Sequence, residues 1–282
     1  MSYLITGATG NIGSLVTERL LARGERPCVF VRDAKKARAL FGRCVDIRVG
    51  DLADAAAMAS AFAGIDSLFL LNSGPGLGAR DRTAAFAAKA AGVRHLVKLS
   101  TLDVQTKVGT GPWHAQGEDA VRESGVPYTF IQSAAFMSNA LGWASSICSK
   151  GVLRSSTGDG KIAFIHPADI ADVVTRALTT REHEGKSLVI TGPTALSYGE
   201  MAAVIGAAIG KPVRFESIPD AQARKMALAW SDSKEYAEAL VDIWRAIREG
   251  RLTTVSDGVE RIVGRKPISF ETWADENADA FA

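Results

Sequence analysis

The chain has 282 residues, of which 47% are apolar and 23% are charged, and its formal net charge is +2. This length suits one large α/β domain or a core domain with a small appended lobe. The small net charge, without a basic run interleaved with aromatic residues, predicts no nucleic-acid partner. No apolar run reaches the ~18 residues of a membrane-spanning helix, so no membrane partner is expected either.

Cysteine and histidine usage predicts a protein without disulfides or metals. Cys28, Cys44 and Cys148 are odd in number and lack CxxC spacing, which is typical of buried or incidental thiols in a reducing cytoplasm. The four histidines are scattered, without a close Cys or His neighbour, and predict no metal site. The first predicted strand begins almost at residue 1 and leaves no room for a signal peptide, so we expect a cytoplasmic protein.

A glycine-rich turn follows the first predicted strand, the apolar segment 3–5. Gly7, Gly10 and Gly13 are spaced three apart, and an amphipathic helix is predicted over 14–23. Between a strand and a helix, such glycines allow a tight turn, close approach to a ligand and tight helix packing. The N–H groups of the helix start favour a dinucleotide pyrophosphate, although a plain tight turn is the alternative. The cofactor contacts predicted here are Gly7, Thr9, Gly10, Asn11 and Ile12.

The second strand, predicted over 27–31, ends at a pair of opposite charges that bears on cofactor choice. Arg32 suits the 2′-phosphate of NADPH, whereas Asp33 could receive the ribose diol of NADH. Asp33 could instead cap the helix predicted over 34–40, and the whole segment could be a solvated charged turn. Because Arg32 comes first and two lysines follow, we predict NADPH as the cofactor.

Four further strands are predicted, over 45–49, 65–71, 93–99 and 128–132. Polar residues follow the first three of them. Asp51 could accept hydrogen bonds from an adenine amino group or cap a turn, and Leu52 next to it is also a predicted cofactor contact. Asn72 and Ser73 begin a glycine-rich loop expected to run along the cofactor, and Ser100, after the fifth strand, is a further predicted cofactor contact.

Six predicted strands alternate with helical segments over residues 1–132, and a later strand is predicted near 187–191. This alternation predicts an α/β protein with a doubly wound parallel sheet, the Rossmann fold. Right-handed crossovers would bring the strand ends to one carboxyl edge, where they would line a single crevice.

The pattern changes after residue 132. The segment 133–282 is predicted to form a smaller, mixed and mostly helical substrate lobe. It includes a helix over 133–149, a capping box at Ser197 and a short strand over 211–217. We expect this lobe to lie over the nicotinamide end of the cofactor.

Taken together, these motifs resemble those of the NmrA-like family, the atypical short-chain dehydrogenase/reductases. The resemblance runs nearly end to end and rests on the segments 7–13, 31–33, 50–52, 97–100, 126–130, 136–139, 166–171 and 191–193. Within the family, the chain is similar to NADPH-dependent quinone reductases and triphenylmethane dye reductases. The resemblance implies an NAD(P)-dependent reductase and puts Ser133 beside the nicotinamide. Where the family usually carries Arg-Pro, this chain has Gln132-Ser133.

Ordinary short-chain dehydrogenases use Tyr-x-x-x-Lys, in which the lysine lowers the tyrosine pKa. None of the four tyrosines here is followed by lysine at that spacing. His114 and Glu118 occupy the expected position, four residues apart on one predicted helix face. We predict catalytic roles for this pair and Ser100, with His114 a proton donor or substrate contact oriented by Glu118. The alternative is a surface pair near a helix start.

Without the tyrosine, the reaction is expected to need little protonation in its transition state. Quinones, quinone methides and delocalised cations spread the incoming charge, so proximity and orientation suffice for hydride transfer. Four side chains predict an apolar pocket for such a planar substrate, although they could equally be ordinary core: Trp113, Phe136, Met137 and Trp143.

These observations are compatible with two functions. The first is an NADPH-dependent reductase of a conjugated, aromatic or quinone-type small molecule. The second is a non-catalytic NADP(H)-binding redox sensor that acts through a protein partner, because the resembling family contains such regulators. In either case we expect a monomer or a homodimer.

Overall fold

The computed structural model describes residues 1–231 and 233–282. The chain divides into two compact units. The first unit comprises Met1–Ser100, Trp113–Gln132 and Ile170–Leu188, and the second comprises Thr101–Pro112, Ser133–Asp169 and Val189–Ala282. One division thus falls after residue 132, where the sequence predicted a boundary. However, residues 101–112 belong to the second unit and residues 170–188 belong to the first.

The strands in chain order are β1 (Tyr3–Thr6), β2 (Cys28–Val31), β3 (Asp46–Val49), β4 (Ser67–Leu70), β5 (His95–Thr101), β6 (Tyr128–Ser133), β7 (Val152–Ser155), β8 (Lys161–Ile162), β9 (Ser187–Ile190), β10 (Leu196–Ser197) and β11 (Arg214–Ser217). Seven of them form one sheet in the order β3-β2-β1-β4-β5-β6-β9. The order reverses between β1 and β4, and β1 pairs in parallel with both of its neighbours, β2 and β4. The predicted doubly wound parallel sheet is therefore confirmed.

The helices in chain order are α1 (Asn11–Ala22), α2 (Ala34–Phe41), α3 (Ala55–Phe62), α4 (Leu77–Ala90), α5 (Asp103–Thr106), α6 (Gly111–Ser124), α7 (Ala144–Lys150), α8 (Pro167–Thr179), α9 (Tyr198–Ala208), α10 (Asp220–Trp230), α11 (Lys234–Arg248), α12 (Gly258–Val263) and α13 (Phe270–Glu276). Side-chain caps start several of them. Ser197 and Glu200 form the predicted capping box of α9. Within the described chain, no helix combines the length and apolarity needed to cross a membrane.

The sheet of the first unit explains the apolar runs of the sequence. β1, β2 and β4 are buried along their whole length because they lie in the middle of the sheet. Leu4 of β1 lies opposite Cys28 of β2 on one side and Leu68 of β4 on the other. At the carboxyl end, Thr6 Oγ1 accepts from the Leu71 N–H at 2.8 Å, which ties β1 to the end of β4.

The second unit has its own aromatic core and two small sheets. β7 pairs with β11 in parallel, and β8 pairs with β10 antiparallel. β7, β8 and β10 were not predicted, because strands of two to four residues carry too little periodicity. Where one helix was predicted over 133–149, the structure has a 3₁₀ helix, Met137–Trp143, followed by α7.

Candidate functional site

A cleft of about 400 Å³ opens in the first unit, at the carboxyl ends of β1 to β4. Its lining consists of Thr6, Gly7, Thr9, Phe30, Val31, Arg32, Gly50, Asp51, Leu52, Ala53, Leu71, Asn72, Ser73 and Arg80. Gly7, Thr9, Arg32, Asp51, Leu52, Asn72 and Ser73 were predicted as cofactor contacts from sequence. The cleft has the size and the position of a ligand site at the switch point of an open α/β sheet.

The glycine turn forms one end of this cleft. Gly7 has φ of +62°, a left-handed conformation that favours glycine. A Cβ on Gly13 would lie 2.2 Å from the Gly7 carbonyl oxygen, so no side chain fits where α1 passes over the turn. Gly10 caps α1 without a side chain, and the first turn of α1 carries no acidic residue. Asn11 and Ile12 begin the helix, and its positive end is thus available to an anion.

Arg32 and Asp33, the two charges after β2, have separate roles. Asp33 Oδ1 accepts the Lys35 and Lys36 N–H groups at 2.8 and 3.1 Å and thereby caps α2. This is the capping alternative that the sequence had left open. Arg32 lines the cleft with its side chain 84% exposed, and its Nε lies 3.9 Å from Asp51 Oδ2. The positive charge at the end of β2 therefore faces the cleft, while the Asp33 carboxylate is engaged by the helix start.

Asp51 follows β3 and Asn72 follows β4, and the two side chains make different contacts. Asp51 Oδ1 accepts the Ala53 N–H at 2.8 Å, so Asp51 both caps a turn and lines the cleft. Asn72 contacts Arg80, which sequence reasoning missed. The Arg80 guanidinium donates to Asn72 Oδ1 and to the carbonyls of Ser73 and Pro75, at 2.7 to 3.1 Å. Arg80 could have been predicted as a cleft residue, because it lies in the first turn of a helix that follows the glycine-rich loop.

The sequence matches a family described as NAD(P)H-binding over residues 7–181. The chain belongs to this family. It is 37% identical over 282 residues to a (4-alkanoyl-5-oxo-2,5-dihydrofuran-3-yl)methyl phosphate reductase of Streptomyces griseus, with 99% of each chain covered. It is also 36% identical over 282 residues to an NAD(P)H azoreductase of Xenophilus azovorans, with 99% of this chain and 98% of the relative covered.

The fold comparison agrees with the sequence comparison. An NADPH-dependent quinone oxidoreductase of Escherichia coli, solved in complex with NADPH, matches with a TM-score of 0.89 at 28% identity. The match covers 98% of this chain and 99% of that one. The resemblance to NADPH-dependent quinone reductases is thus confirmed, and the chain is an oxidoreductase of the NAD(P)H-binding family.

In this member of the family, Glu118 is a buried carboxylate that joins the ends of β5 and β6. Its Oε1 accepts from Ser100 Oγ at 2.6 Å and from Gln132 Nε2 at 2.9 Å. Its Oε2 accepts from Arg122 Nη2 at 3.0 Å. Glu118 is 1% exposed, so it is not half of a surface pair. Among the described residues, no hydrogen bond joins Glu118 to His114, so the orientation of His114 by Glu118 stays a prediction.

The surroundings of His114 bear on its predicted role as a proton donor or substrate contact. Its Nδ1 is buried and has no hydrogen-bond partner among the described residues. Burial, with a smaller contribution from the positive charge of Lys98, lowers the pKa of His114 to about 3. The ring is therefore neutral near pH 7, where it can accept or donate a hydrogen bond but cannot act as an imidazolium acid.

The predicted pocket residues belong to different parts of the chain. Trp143 is 9% exposed and packs on Tyr198, with ring centroids 4.8 Å apart, in the core of the second unit. Met137 is 1% exposed in the same core. Trp143 and Met137 therefore belong to the ordinary core, which was the alternative to a substrate pocket. Phe136 is half-buried beside Ile165, and Trp113 is half-buried at the start of α6 in the first unit.

Ser133, expected beside the nicotinamide, ends β6 and is 2% exposed. Its carbonyl accepts the Leu102 N–H at 2.9 Å within the second unit. Gln132, which precedes it, donates to Glu118 in the first unit. The Gln132-Ser133 sequence thus has a structural role of its own where the family usually carries Arg-Pro.

Substitution of Gly10 should weaken dinucleotide binding, whereas substitution of Gly13 should weaken the fold. Gly10 has extended backbone, and a Cβ there would lie 3.3 Å from the Gly7 oxygen, a tight contact that needs a shift of only a few tenths of an ångström, so Gly10→Val should fold. Its branched side chain would occupy the place of the pyrophosphate, and dinucleotide affinity should fall by roughly 10²-fold or more. Gly13→Ala should instead lower the free energy of unfolding by about 1–3 kcal/mol, through overpacking. Calorimetric titration and chemical unfolding measure the two effects, and equal stability losses would contradict the assignment.

The His114 ring should not titrate in the neutral range. Its pKa in the folded protein, about 3, lies below the ordinary value of 6.5, so the unfolded state gains the proton first as pH falls. The stability contributed by the neutral ring is therefore complete above about pH 6.5 and is lost as pH falls from there towards 3. NMR titration of the ring measures this directly, with the urea-unfolded protein as the control. A folded-state midpoint near 6.5 would contradict the burial described here.

Proposed function

We propose that this oxidoreductase uses NADPH to reduce a conjugated, aromatic or quinone-type small molecule by hydride transfer. The observation that carries the cofactor choice is the capping of α2 by Asp33, because this cap engages the carboxylate next to Arg32 that the sequence offered to the ribose diol of NADH. Arg32 remains at the end of β2 and lines the cleft, with Lys35 and Lys36 in the following turn. A guanidinium in this position suits a phosphate on the ribose.

The first unit supplies the groups that such a cofactor needs. The start of α1 offers main-chain N–H groups to a pyrophosphate, and Gly10 keeps the approach clear. Asp51, after β3, and Asn72, after β4, also line the cleft with polar side chains. When bound, NADPH supplies the hydride, and the residues of this chain supply position and orientation.

The proposed substrate class rests on the absence, in the described part of the chain, of a strong acid that could protonate the product during hydride transfer. The sequence has no Tyr-x-x-x-Lys pair, and burial keeps His114 neutral. An isolated ketone develops an alkoxide that needs a strong acid, whereas a conjugated acceptor delocalises the charge and takes its proton from water. The named substrates of the relatives support this class, because azo compounds, quinones and an acylated dihydrofuranone are all conjugated.

Turnover with matched acceptors tests the proposed reaction. The purified protein should oxidise NADPH in the presence of a simple quinone or an azo dye, each acceptor gaining a hydride and a proton. It should leave a saturated cyclic ketone unreduced. Equal rates on the ketone would contradict the substrate argument. Tight NADPH binding without turnover on any acceptor would instead favour a redox-sensing regulator.

Arg32→Ala tests the cofactor choice. The variant should weaken NADPH binding by on the order of 1–3 kcal/mol while NADH affinity stays unchanged, because only NADPH carries the 2′-phosphate. Arg43→Ala removes another exposed arginine and controls for the change in net charge. Calorimetric titration of all three proteins with both cofactors gives the result, and an equal loss for NADPH and NADH would remove the assigned role.

A further inference from the structure

A fully buried ion pair lies beneath the cofactor cleft. Lys98 of β5 and Asp81 of α4 are both 0% exposed, and Lys98 Nζ lies 2.6 Å from Asp81 Oδ2. Lys98 Nζ also donates to the Leu99 carbonyl at 3.2 Å. Burying two charges carries a large desolvation penalty, and an apolar pair of the same shape usually stabilises a fold equally well or better. Stability alone is thus a weak explanation for this pair.

The helix α6 leaves room for the pair. A Cβ on Gly117 would lie 2.3 Å from Asp81 Oδ2 and 3.0 Å from Lys98 Cε. No side chain fits at position 117 while the two charged groups keep this geometry. Glycine within a helix is destabilising by roughly 0.5–1 kcal/mol relative to alanine. Two unfavourable features, a buried ion pair and a mid-helix glycine, therefore occur together at one place.

The second oxygen of Asp81 connects the pair to the cleft. Asp81 Oδ1 accepts from Asn72 Nδ2 at 3.1 Å. Asn72 Oδ1 in turn accepts from Arg80 Nε at 3.1 Å and from the Ser73 N–H at 2.9 Å. Because an amide oxygen can only accept and an amide nitrogen can only donate, these partners determine which way the Asn72 side chain faces. Asn72, Ser73 and Arg80 all line the cleft.

We propose that the Asp81–Lys98 pair is a positioning device for this wall of the cofactor cleft. Lys98 holds the Asp81 carboxylate, Asp81 orients the Asn72 amide, and Asn72 orients Arg80 and the loop that follows β4. The pair acts through Asn72 and touches no ligand itself. The inference rests on the proposed function as far as cofactor affinity is concerned. Its geometric part concerns the order of the loop and stands independently.

Loss of the Asp81–Lys98 pair should affect cofactor affinity differently from loss of Arg32. The Asn72 wall lies at the end of β4, whereas Arg32 lies at the end of β2. Loosening the wall should therefore weaken NADPH and NADH equally, whereas Arg32→Ala should weaken NADPH alone. A defect common to both dinucleotides identifies the wall rather than the 2′-phosphate contact.

Two double variants isolate the hydrogen bond from Asn72 to Asp81. Both remove the charges, which avoids leaving one buried ion without its partner. Asp81→Asn with Lys98→Met keeps an oxygen that can accept from Asn72 Nδ2, whereas Asp81→Leu with Lys98→Met keeps the branched shape without an acceptor. The leucine variant should lose roughly tenfold in affinity for both dinucleotides, and the asparagine variant should stay within about threefold of the unmodified chain.

Hydrogen exchange of the loop amides provides a readout that needs no cofactor. Exchange at Ser73, whose N–H donates to Asn72 Oδ1, should accelerate about tenfold in the leucine variant and stay unchanged in the asparagine variant. The free energy of unfolding, measured in urea for both variants, separates this local effect from a general loss of stability. Equal loop exchange and equal affinities in the two variants would overturn the proposal. Failure of the unmodified protein to bind NADPH would refute the proposed function, and exchange at Ser73 would still decide the positioning role.

Discussion

The passage of α1 over the Gly7 carbonyl is the constraint on which the cleft depends. A Cβ on Gly13 would penetrate to 2.2 Å from that oxygen, so the helix can begin there only because residue 13 has no side chain. This contact brings the end of β1 and the start of α1 together as one rigid corner. The polar ends of β2, β3 and β4 then meet the same corner, because parallel strands of a doubly wound sheet end on one edge.

Much of the fold could be predicted from the sequence, because local signals and long-range packing agree there. Buried parallel strands read as apolar runs, and glycine spacing, Asp33 and the Ser197 capping box indicate where helices begin. β7, β8 and β10 could not be predicted in this way. Each is two to four residues long, and its pairing depends on neighbours that a local pattern does not contain.

The convergence of residues at the cleft follows from local sequence signals more directly than the state of a titratable side chain does, and the reason is physical. A glycine turn and a charged strand end have fixed positions in a doubly wound sheet, so their convergence follows from topology. The state of a titratable side chain depends instead on burial and on partners distant in sequence. The four-residue spacing of His114 and Glu118 predicted a pair, whereas Ser100 and Gln132 bind the Glu118 carboxylate and burial keeps the imidazole neutral.

The cap formed by Asp33 has a consequence for how cofactor preference can change during evolution. The carboxylate that an NADH-selective ancestor or descendant would need is already committed to the amides of Lys35 and Lys36. Releasing it would remove a helix cap, which costs about 1 kcal/mol. An acid introduced at position 32 would stand next to Asp33 and across from Asp51, three carboxylates at one turn. Cofactor preference at this site is therefore coupled to the stability of α2, because the same carboxylate serves both.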